Sequence, residues 1–166
     1  MKGNSPLFAP KNSIAAGDML FPSGDRAFFE NAAKRLDVDP NGFLDILAHG
    51  SQNTIQINVN GKDYEISWRS LAQMIRRNPQ YLGKGIRLLS CNTGNNPEGF
   101  AQNLANKLGV TVLAPNNIIW AYPNGNMIIA PRASNDKKSV QFWMPHPTIR
   151  GEFKTYYPGG NKKWKK

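Results

Sequence analysis

The stretch that decides the fold is IRLLSCNTG, residues 86–94, which runs an apolar segment directly into a small polar turn. Its cysteine, Cys91, is the only one in the chain. An apolar run of this length is typical of a strand that is covered on both faces of a sheet. A cysteine that only fills a core needs no turn after it, whereas a nucleophile has to be presented outward. The stretch therefore predicts a buried strand that delivers one thiol onto a turn.

Two further apolar runs, FLDILAHG (residues 43–50) and VTVLAP (residues 110–115), have the same character. Helical patterns separate the three runs, and strands that alternate with helices indicate a parallel sheet. Right-handed crossovers place the strands at residues 43–48, 86–90 and 110–114 side by side. We therefore expect an α/β fold, a three-layer sandwich in which helices cover both faces of a mostly parallel sheet, with added β-hairpins.

Short local signals place the helices and the hairpins. Ser23 is a candidate N-cap for the first helix, Ser67 for the second, and Gly109 ends the third. Asn-Gly pairs at residues 60–61 and 124–125 lie between extended segments, which is a strong short-range signal for a hairpin.

The composition indicates one domain, because 166 residues suffice to bury a core without disulfides. We divide the chain into a linker at residues 1–16, an α/β domain at residues 17–160 and a basic tail at residues 161–166. The single cysteine excludes an internal disulfide and any Cys-rich metal site. No apolar run approaches the roughly 18 residues that a membrane span requires.

The formal net charge of +10 is concentrated near the C-terminal end, where residues 132–166 contain nine Lys or Arg and two Asp or Glu. A basic tail that includes Trp164 can bind phosphates without sequence preference, so a weak nucleic-acid contact through the tail stays open. Such tails are more commonly solvated chain ends. The charge alone therefore identifies no partner.

Two of the predicted strands end in residues with reactive side chains, His49 and Cys91. Functional groups collect at the carboxyl ends of strands in such sheets, and neighbouring strands are about 4.8 Å apart. A thiolate can attack a carbonyl while an imidazole moves the proton. The amides of Gly50 and Cys91 are candidates for an oxyanion hole. The competing interpretation makes Cys91 a small core residue and His49 a hydrogen-bonded loop residue.

Other residues are candidates for the same site, but two of them, Asp45 and His146, are given no role in it. Asp45 lies roughly 13 Å along the strand from His49, so it is not expected to orient the imidazole. His146 lies between two prolines and is assigned no catalytic role. No spacing fits a metal site or a phosphate-binding loop, so we expect no metal and no cofactor. The candidate substrate-binding residues are Ser51, Asn92, Thr93, Asn116, Asn117 and Trp120.

The segments ILAHGS (residues 46–51), IRLLSCNTG and GFAQNLANKLGVTVLAP (residues 99–115) resemble a clan of cysteine peptidases. That clan includes caspases, gingipains and the self-cleaving protease domains of large bacterial toxins. A closer similarity is to C-terminal domains of bacterial polymorphic toxins of the Rhs type, whose pattern includes WAYPNG (residues 120–125) and YPGG (residues 157–160). The resemblance covers about residues 40–131 and the short terminal motif.

The resemblance implies a caspase-like α/β sandwich with His49 as base or acid, Cys91 as nucleophile and Gly50 beside the oxyanion hole. It also implies delivery within a larger secreted bacterial toxin, action in the cytoplasm of a target cell, and a cognate immunity protein. The chain departs from caspases because we expect one strand, not two, before the His strand. No residues match the pocket with which caspases recognise aspartate.

Three hypotheses follow. The first is a cysteine endopeptidase whose substrate is a target-cell protein or the parent chain itself. The second is a basic effector that acts on nucleic acid through its tail. The third is a non-catalytic α/β binding module in which Cys91 belongs to the core.

Overall fold

The chain forms ten strands and three α-helices within residues 18–20, 26–35 and 42–159, the part that a computed structural model describes. The helices are α1 (Arg26–Ala33), α2 (Trp68–Arg77) and α3 (Phe100–Leu108). In chain order the strands are β1 (Asp18–Leu20), β2 (Leu44–Leu47), β3 (His49–Gly50), β4 (Ile55–Val59), β5 (Lys62–Ile66), β6 (Ile86–Leu89), β7 (Val112–Pro115), β8 (Ile118–Ala121), β9 (Met127–Ala130) and β10 (Phe153–Tyr156).

Five strands form the central sheet in the order β1-β2-β6-β7-β10. The first four are parallel, and β10 pairs with β7 in the antiparallel direction. The three strands predicted from the apolar runs are therefore adjacent, and the α/β class with a mostly parallel sheet is confirmed. One strand was expected before the His strand, without bounds, and β1 takes that place, whereas β10 was not predicted. Strand β1 has only three residues, and β10 reads FKTY with two exposed residues at its centre, so no apolar run marks either.

Side-chain alternation along β2 and β6 divides the core between the two faces of the sheet. Leu44, Ile46 and Leu88 pack on one face with residues of α2 and α3. Leu47 and Leu89 pack on the other face with α1 and with the hairpin of β8 and β9. Both faces are therefore covered, and the second one carries the candidate site.

Two helices have a boundary at the residue that the sequence predicts. Ser67 caps the start of α2, because its hydroxyl accepts a hydrogen bond from the backbone amide of Ser70 at 3.3 Å. The helix ends two residues before Pro79. Helix α3 is followed by Gly109 with a left-handed φ of 72°, which glycine adopts without steric cost. The candidate cap of the first helix, Ser23, lies outside the described residues.

Both Asn-Gly pairs lie in β-hairpins, as predicted. Asn60 and Gly61 join β4 to β5 with φ values of 53° and 84°, the positive values that a type I′ turn requires. Gly125 has a φ of 91° in the turn that joins β8 to β9. Strands β3, β4 and β5 form a separate antiparallel sheet, so the chain leaves the central sheet directly after β2.

A buried ion cluster ties the end of α1 to the central sheet. Asp45 and Arg87 are register partners on β2 and β6, with Arg87 Nε 2.9 Å from one carboxylate oxygen and Nη2 2.8 Å from the other. Arg35 Nε lies 2.7 Å from the same carboxylate. Asp45 is thus engaged with two arginines, in agreement with the expectation that it does not orient His49.

The proposed linker and the proposed basic tail, residues 1–16 and 161–166, lie outside the described residues. Within the described ranges, no helix combines the length and the apolar character needed to cross a membrane.

Candidate active site

His49 and Cys91 follow two residues that face each other on neighbouring strands. Leu47 in β2 and Leu89 in β6 are register partners. The amide of Ala48 donates a hydrogen bond to the carbonyl of Leu89 at 3.4 Å, which extends the pairing past the end of β2. His49 and Cys91 each come two residues after the leucines, so alternation carries both side chains to the same face. The two predicted residues therefore emerge at the same edge of the sheet.

Two aromatic rings of α1 form a common wall for this pair. The imidazole of His49 lies 5.9 Å from the ring of Phe28, in a stacked arrangement, and 5.4 Å from the ring of Phe29, edge-on. Cys91 packs against the apolar cluster that contains both phenylalanines. His49 and Cys91 are each half-buried, so neither side chain is sealed inside the core.

The sulfur of Cys91 accepts a hydrogen bond from the backbone amide of Ile119 in β8, with an N–S distance of 3.3 Å. Ile119 is the register partner of Ile129 in β9. In the same hairpin the amide of Tyr122 donates a hydrogen bond to the carbonyl of Asn126, so these two residues form a hydrogen-bonded pair. Hydrogen-bonded and non-hydrogen-bonded pairs alternate along an antiparallel ladder, and Ile119 lies three residues before Tyr122. Ile119 and Ile129 are therefore a non-hydrogen-bonded pair. The Ile119 amide is therefore directed away from β9 and toward the sulfur. Such a donor favours a thiolate over a neutral thiol.

The turn after Cys91 is fixed by local hydrogen bonds. Asn92 has a left-handed φ of 64°, a conformation that asparagine tolerates better than most residues. Its amide donates to the carbonyl of Asn117 at 3.0 Å. The hydroxyl of Thr93 donates to the carbonyl of Ser90 at 2.8 Å. The nucleophile candidate is thus held at the start of an ordered turn.

Gly94 completes this turn and is enclosed on several sides. Its amide donates to the carbonyl of Pro115 at 2.8 Å, and its carbonyl accepts a hydrogen bond from the Tyr156 hydroxyl at 2.6 Å. A Cβ at this position would lie 2.4 Å from the carbonyl oxygen of Ala114, so only glycine fits. Burial raises the pKa of Tyr156, which keeps the proton on the donating hydroxyl.

Gly50 lies against the same turn. A Cβ at Gly50 would lie 2.9 Å from the carbonyl oxygen of Cys91, so the missing side chain permits the close approach. The amide of Ser51 bonds to the carbonyl of Thr54 at 2.9 Å, and alternation then makes Gly50 and Ile55 a non-hydrogen-bonded pair. The ladder between β3 and β4 therefore does not use the Gly50 amide. An oxyanion-hole donor needs this property.

Three of the predicted substrate-binding residues lie on the turns that flank the pair. Ser51 is exposed, and its hydroxyl oxygen accepts hydrogen bonds from the backbone amides of Asn53 and Thr54. Asn92 is half-buried in the turn after Cys91. Thr93 is fully buried, so its side chain supports the turn and does not reach the surface.

The other three predicted substrate-binding residues lie around the start and the middle of β8. The side-chain oxygen of Asn116 accepts a hydrogen bond from the amide of Glu152 at 2.9 Å, and that of Asn117 accepts one from the amide of the next residue. The indole N–H of Trp120 donates to the carbonyl of Ala130 at 2.9 Å. These polar groups organise the hairpin, and all three residues are half-buried.

A cavity of about 300 Å³ opens between the β8–β9 hairpin and the segment that leads into β10. Its size is at the lower end of the range for small-ligand pockets. The residue that connects it to the sulfur is Ile119, which both lines the cavity and donates to Cys91. The lining residues are Ile119, Met127, Ile128, Ile129, Arg150, Gly151, Glu152 and Phe153.

Sequence reasoning missed the part that four residues play at this site. Ile119 acts through its backbone amide, for which no sequence signal exists. Phe28 has the spacing of a buried helix face, but that spacing does not indicate that Phe28 and its neighbour Phe29 contact an imidazole. Tyr156 lies directly before the YPGG motif. The motif does not indicate that the hydroxyl of Tyr156 reaches the carbonyl of Gly94.

No metal centre is found among the described residues, because no three His, Cys, Asp or Glu side chains there lie close enough together. His146 lies in a separate loop. Its Nδ1 accepts hydrogen bonds from the amides of Thr148 and Ile149 at 3.2 and 3.0 Å.

A family described as a domain of unknown function, DUF8616, matches residues 17–129, which is more than half of the chain. The chain belongs to the DUF8616 family. His49 and Cys91 both fall within the DUF8616 region, whereas β10 and Tyr156 lie beyond it. No curated protein and no solved structure matches the chain.

Proposed function

We propose that this DUF8616 domain is a cysteine endopeptidase in which His49 and Cys91 form a catalytic dyad. The observation that carries the proposal is the shared position of the two side chains. They leave adjacent strand ends on the same face and contact the same apolar group around Phe28 and Phe29. The half-buried sulfur also receives a backbone hydrogen bond, which a cysteine that only fills a core does not need.

The reaction follows from the chemistry of the two groups. The thiolate of Cys91 attacks the carbonyl carbon of a peptide bond and forms a carbon–sulfur bond. The carbon–nitrogen bond then breaks, and the leaving amine takes a proton from the imidazolium of His49. Water attacks the resulting thioester while His49 accepts a proton from it. The carbon–sulfur bond breaks, which releases the carboxylic acid and returns the enzyme to its starting state.

The negative charge that develops on the carbonyl oxygen needs donors that are already in place. The amide of Gly50 fits this role because the ladder to β4 leaves it unused and because it lies against the turn of Cys91. The amide of Cys91 is the second proposed donor. Ile119 acts earlier in the cycle, because its amide favours the thiolate that attacks.

The cavity beside Ile119 is the proposed site for the side chain of the residue whose carbonyl is attacked. Its wall is apolar at Ile119, Ile129 and Phe153, so it favours an uncharged side chain. Arg150 and Glu152 line the same cavity with opposite charges and are both exposed, so the apolar wall carries this assignment and the charges do not. The proposed substrate therefore differs from that of caspases.

The wider context of the proposal rests on the sequence resemblance. Helices α2 and α3 on one face of the sheet, with α1 and the β8–β9 hairpin on the other, are compatible with a caspase-like three-layer sandwich. We extend the proposal to a toxin domain that is delivered within a larger bacterial protein. Its substrate is a protein in the cytoplasm of the target cell, and its partner is a cognate immunity protein.

The test compares new protein N-termini, by mass spectrometry, in a cell lysate incubated with the full chain or with single variants. Cys91→Ala and His49→Ala are expected to produce none of the N-termini that the wild-type chain produces. His146→Ala is the matched control, because it removes the other histidine, which lies in a separate loop. It is expected to retain the wild-type set.

Two results would contradict the proposal. Full toxicity of Cys91→Ala in cells would remove the thiol from the mechanism. Equal loss in His49→Ala and His146→Ala would show that histidine removal acts through the fold and not through the site. The nucleic-acid hypothesis predicts instead that Cys91→Ala is active and that deletion of residues 161–166 abolishes activity, with a steep salt dependence.

A further inference from the structure

Tyr156 reaches from the edge strand β10 to the turn that presents Cys91. Its hydroxyl donates a hydrogen bond to the carbonyl of Gly94 at 2.6 Å. Its ring is buried in the core on the face of the central sheet that α2 and α3 cover. Gly94 is three residues after Cys91, within the turn described above. Tyr156 therefore lies outside the DUF8616 region, and its side chain makes a direct hydrogen bond to the turn that follows Cys91.

The segment around Tyr156 is itself anchored to α3. The side-chain amide of Gln102 donates to the carbonyl of Tyr157 at 2.7 Å, and Gln102 is buried. The amide of Gly159 donates to the side-chain oxygen of Asn106, also at 2.7 Å. These bonds fix both the strand and the residues after it, so the Tyr156 hydroxyl is held in place relative to α3.

The Tyr156 hydroxyl contacts the turn at Gly94, and the Ile119 amide contacts it three residues earlier, at Cys91. From Gly94 the turn runs back to Cys91, whose sulfur receives the Ile119 amide. A turn that shifts at Gly94 also shifts the sulfur relative to that amide, and hydrogen bonds weaken steeply with distance and angle. The reactivity of the thiol is thus coupled to a bond made by the last strand.

We propose that Tyr156 is a positioning residue for Cys91, and that the functional unit extends past the DUF8616 region to include β10 and the residues that anchor it. This inference rests on the proposed role of Cys91 as the nucleophile. Tyr156 itself touches no reacting atom. It acts through Gly94, and its removal reduces the fraction of chains in which the sulfur and the Ile119 amide are aligned.

The test measures the rate of Cys91 alkylation by iodoacetamide between pH 5 and 9 in the full-length wild-type chain, in Tyr156→Phe and in Tyr157→Phe. Tyr156→Phe removes one hydroxyl and keeps the ring. Its alkylation profile is expected to move upward by at most about one pH unit, the shift expected from complete loss of the hydrogen bond between the Ile119 amide and the thiolate. Tyr157→Phe is the control, since Tyr157 is the neighbouring tyrosine and is 53% exposed. Its profile is expected to match the wild type.

The outcomes separate the two claims. A lower melting temperature in Tyr156→Phe with an unchanged alkylation profile would overturn this inference and leave the dyad intact. A native wild-type chain that is alkylated no faster than the same chain in urea would overturn the dyad and this inference together. If Tyr156→Phe does not fold, Gln102→Met loosens the same segment and is expected to move the profile in the same direction. An unchanged profile in Gln102→Met would then overturn the inference.

Discussion

The backbone amide of Ile119 and the sulfur of Cys91 are joined by a hydrogen bond of 3.3 Å, although Ile119 lies in the β8–β9 sheet and Cys91 lies in the turn after β6 of the central sheet. Because Ile119 and Ile129 form a non-hydrogen-bonded pair, this amide can be removed without loss of a bond between β8 and β9. The hairpin is thus part of the thiol's environment and not only a cover for the sheet.

Ile119→Pro is expected to slow alkylation of Cys91 at neutral pH about tenfold, because proline lacks the donating N–H and one such bond is worth about that factor. The buried side chain of Ile119 changes as well, so Ile119→Ala is the matched control, which keeps the amide. Equal rates in the proline and alanine variants, measured by intact mass over time, would show that the amide does not act on the sulfur.

Gly50→Ala is expected to lower peptide hydrolysis by about a hundredfold, since small displacements at a reacting centre have effects of this size. The new Cβ would lie 2.9 Å from the Cys91 carbonyl oxygen and has no flexible neighbour to displace. Gly109→Ala is the control, because its φ of 72° makes alanine strained at a position outside the site. Both variants are expected to lose stability, and only Gly50→Ala is expected to lose activity. Similar activities would contradict the placement of Gly50 beside the reacting carbonyl.

Asp45→Asn is expected to reduce the free energy of unfolding by about 3–5 kcal/mol, because it leaves the guanidinium groups of Arg35 and Arg87 buried without their carboxylate. Glu152→Gln removes the carboxylate of an exposed pair with Lys154 at 3.3 Å and is expected to cost less than about 1 kcal/mol. Urea unfolding at neutral pH measures both. A loss in Asp45→Asn as small as that in Glu152→Gln would mean that the buried cluster does not stabilise the fold.

Stability is expected to fall at alkaline pH. Burial raises the pKa of both Tyr81 and Tyr156 above the ordinary value of 10.0, although Arg76 partly opposes the shift at Tyr81. The folded state thus holds these protons more tightly than the unfolded state. Their contribution is fully present below pH 10 and is lost as the pH rises through the raised folded-state values. Urea unfolding at pH 8 and pH 11 checks this, and the Tyr81→Phe/Tyr156→Phe double variant is expected to lose less stability over that interval. An identical loss would contradict the assignment.

The parallel core of the fold could be predicted from sequence because each buried strand is a short apolar run and each helix has a recognisable end. Ser67 and Gly109 are examples, since their roles depend on local backbone chemistry. The strands that frame the sheet carry no such signal. In β10 only Tyr156 is buried, and the partner of the strand, β7, is about forty residues away in the chain.

The placement of His49 and Cys91 after neighbouring strands could also be predicted, because the position of a residue at the end of a parallel strand follows from topology alone. The surroundings of the two residues could not. The amide of Ile119 reaches the sulfur only because of the register of a hairpin, and the hydroxyl of Tyr156 reaches Gly94 only because an antiparallel strand is added at the edge. Backbone donors and contacts between distant segments have no residue signature in a single sequence.

The measurement that tests the account most directly is the rate of Cys91 alkylation by iodoacetamide at neutral pH in three samples: the native wild-type chain, native His49→Gln, and the wild-type chain unfolded in urea. Cys91 is the only cysteine, so the mass gain reports on it alone. The native wild-type chain is expected to react at least about tenfold faster than the unfolded chain, and His49→Gln is expected to lose this advantage. A native thiol that reacts no faster than the unfolded one would contradict the proposed dyad.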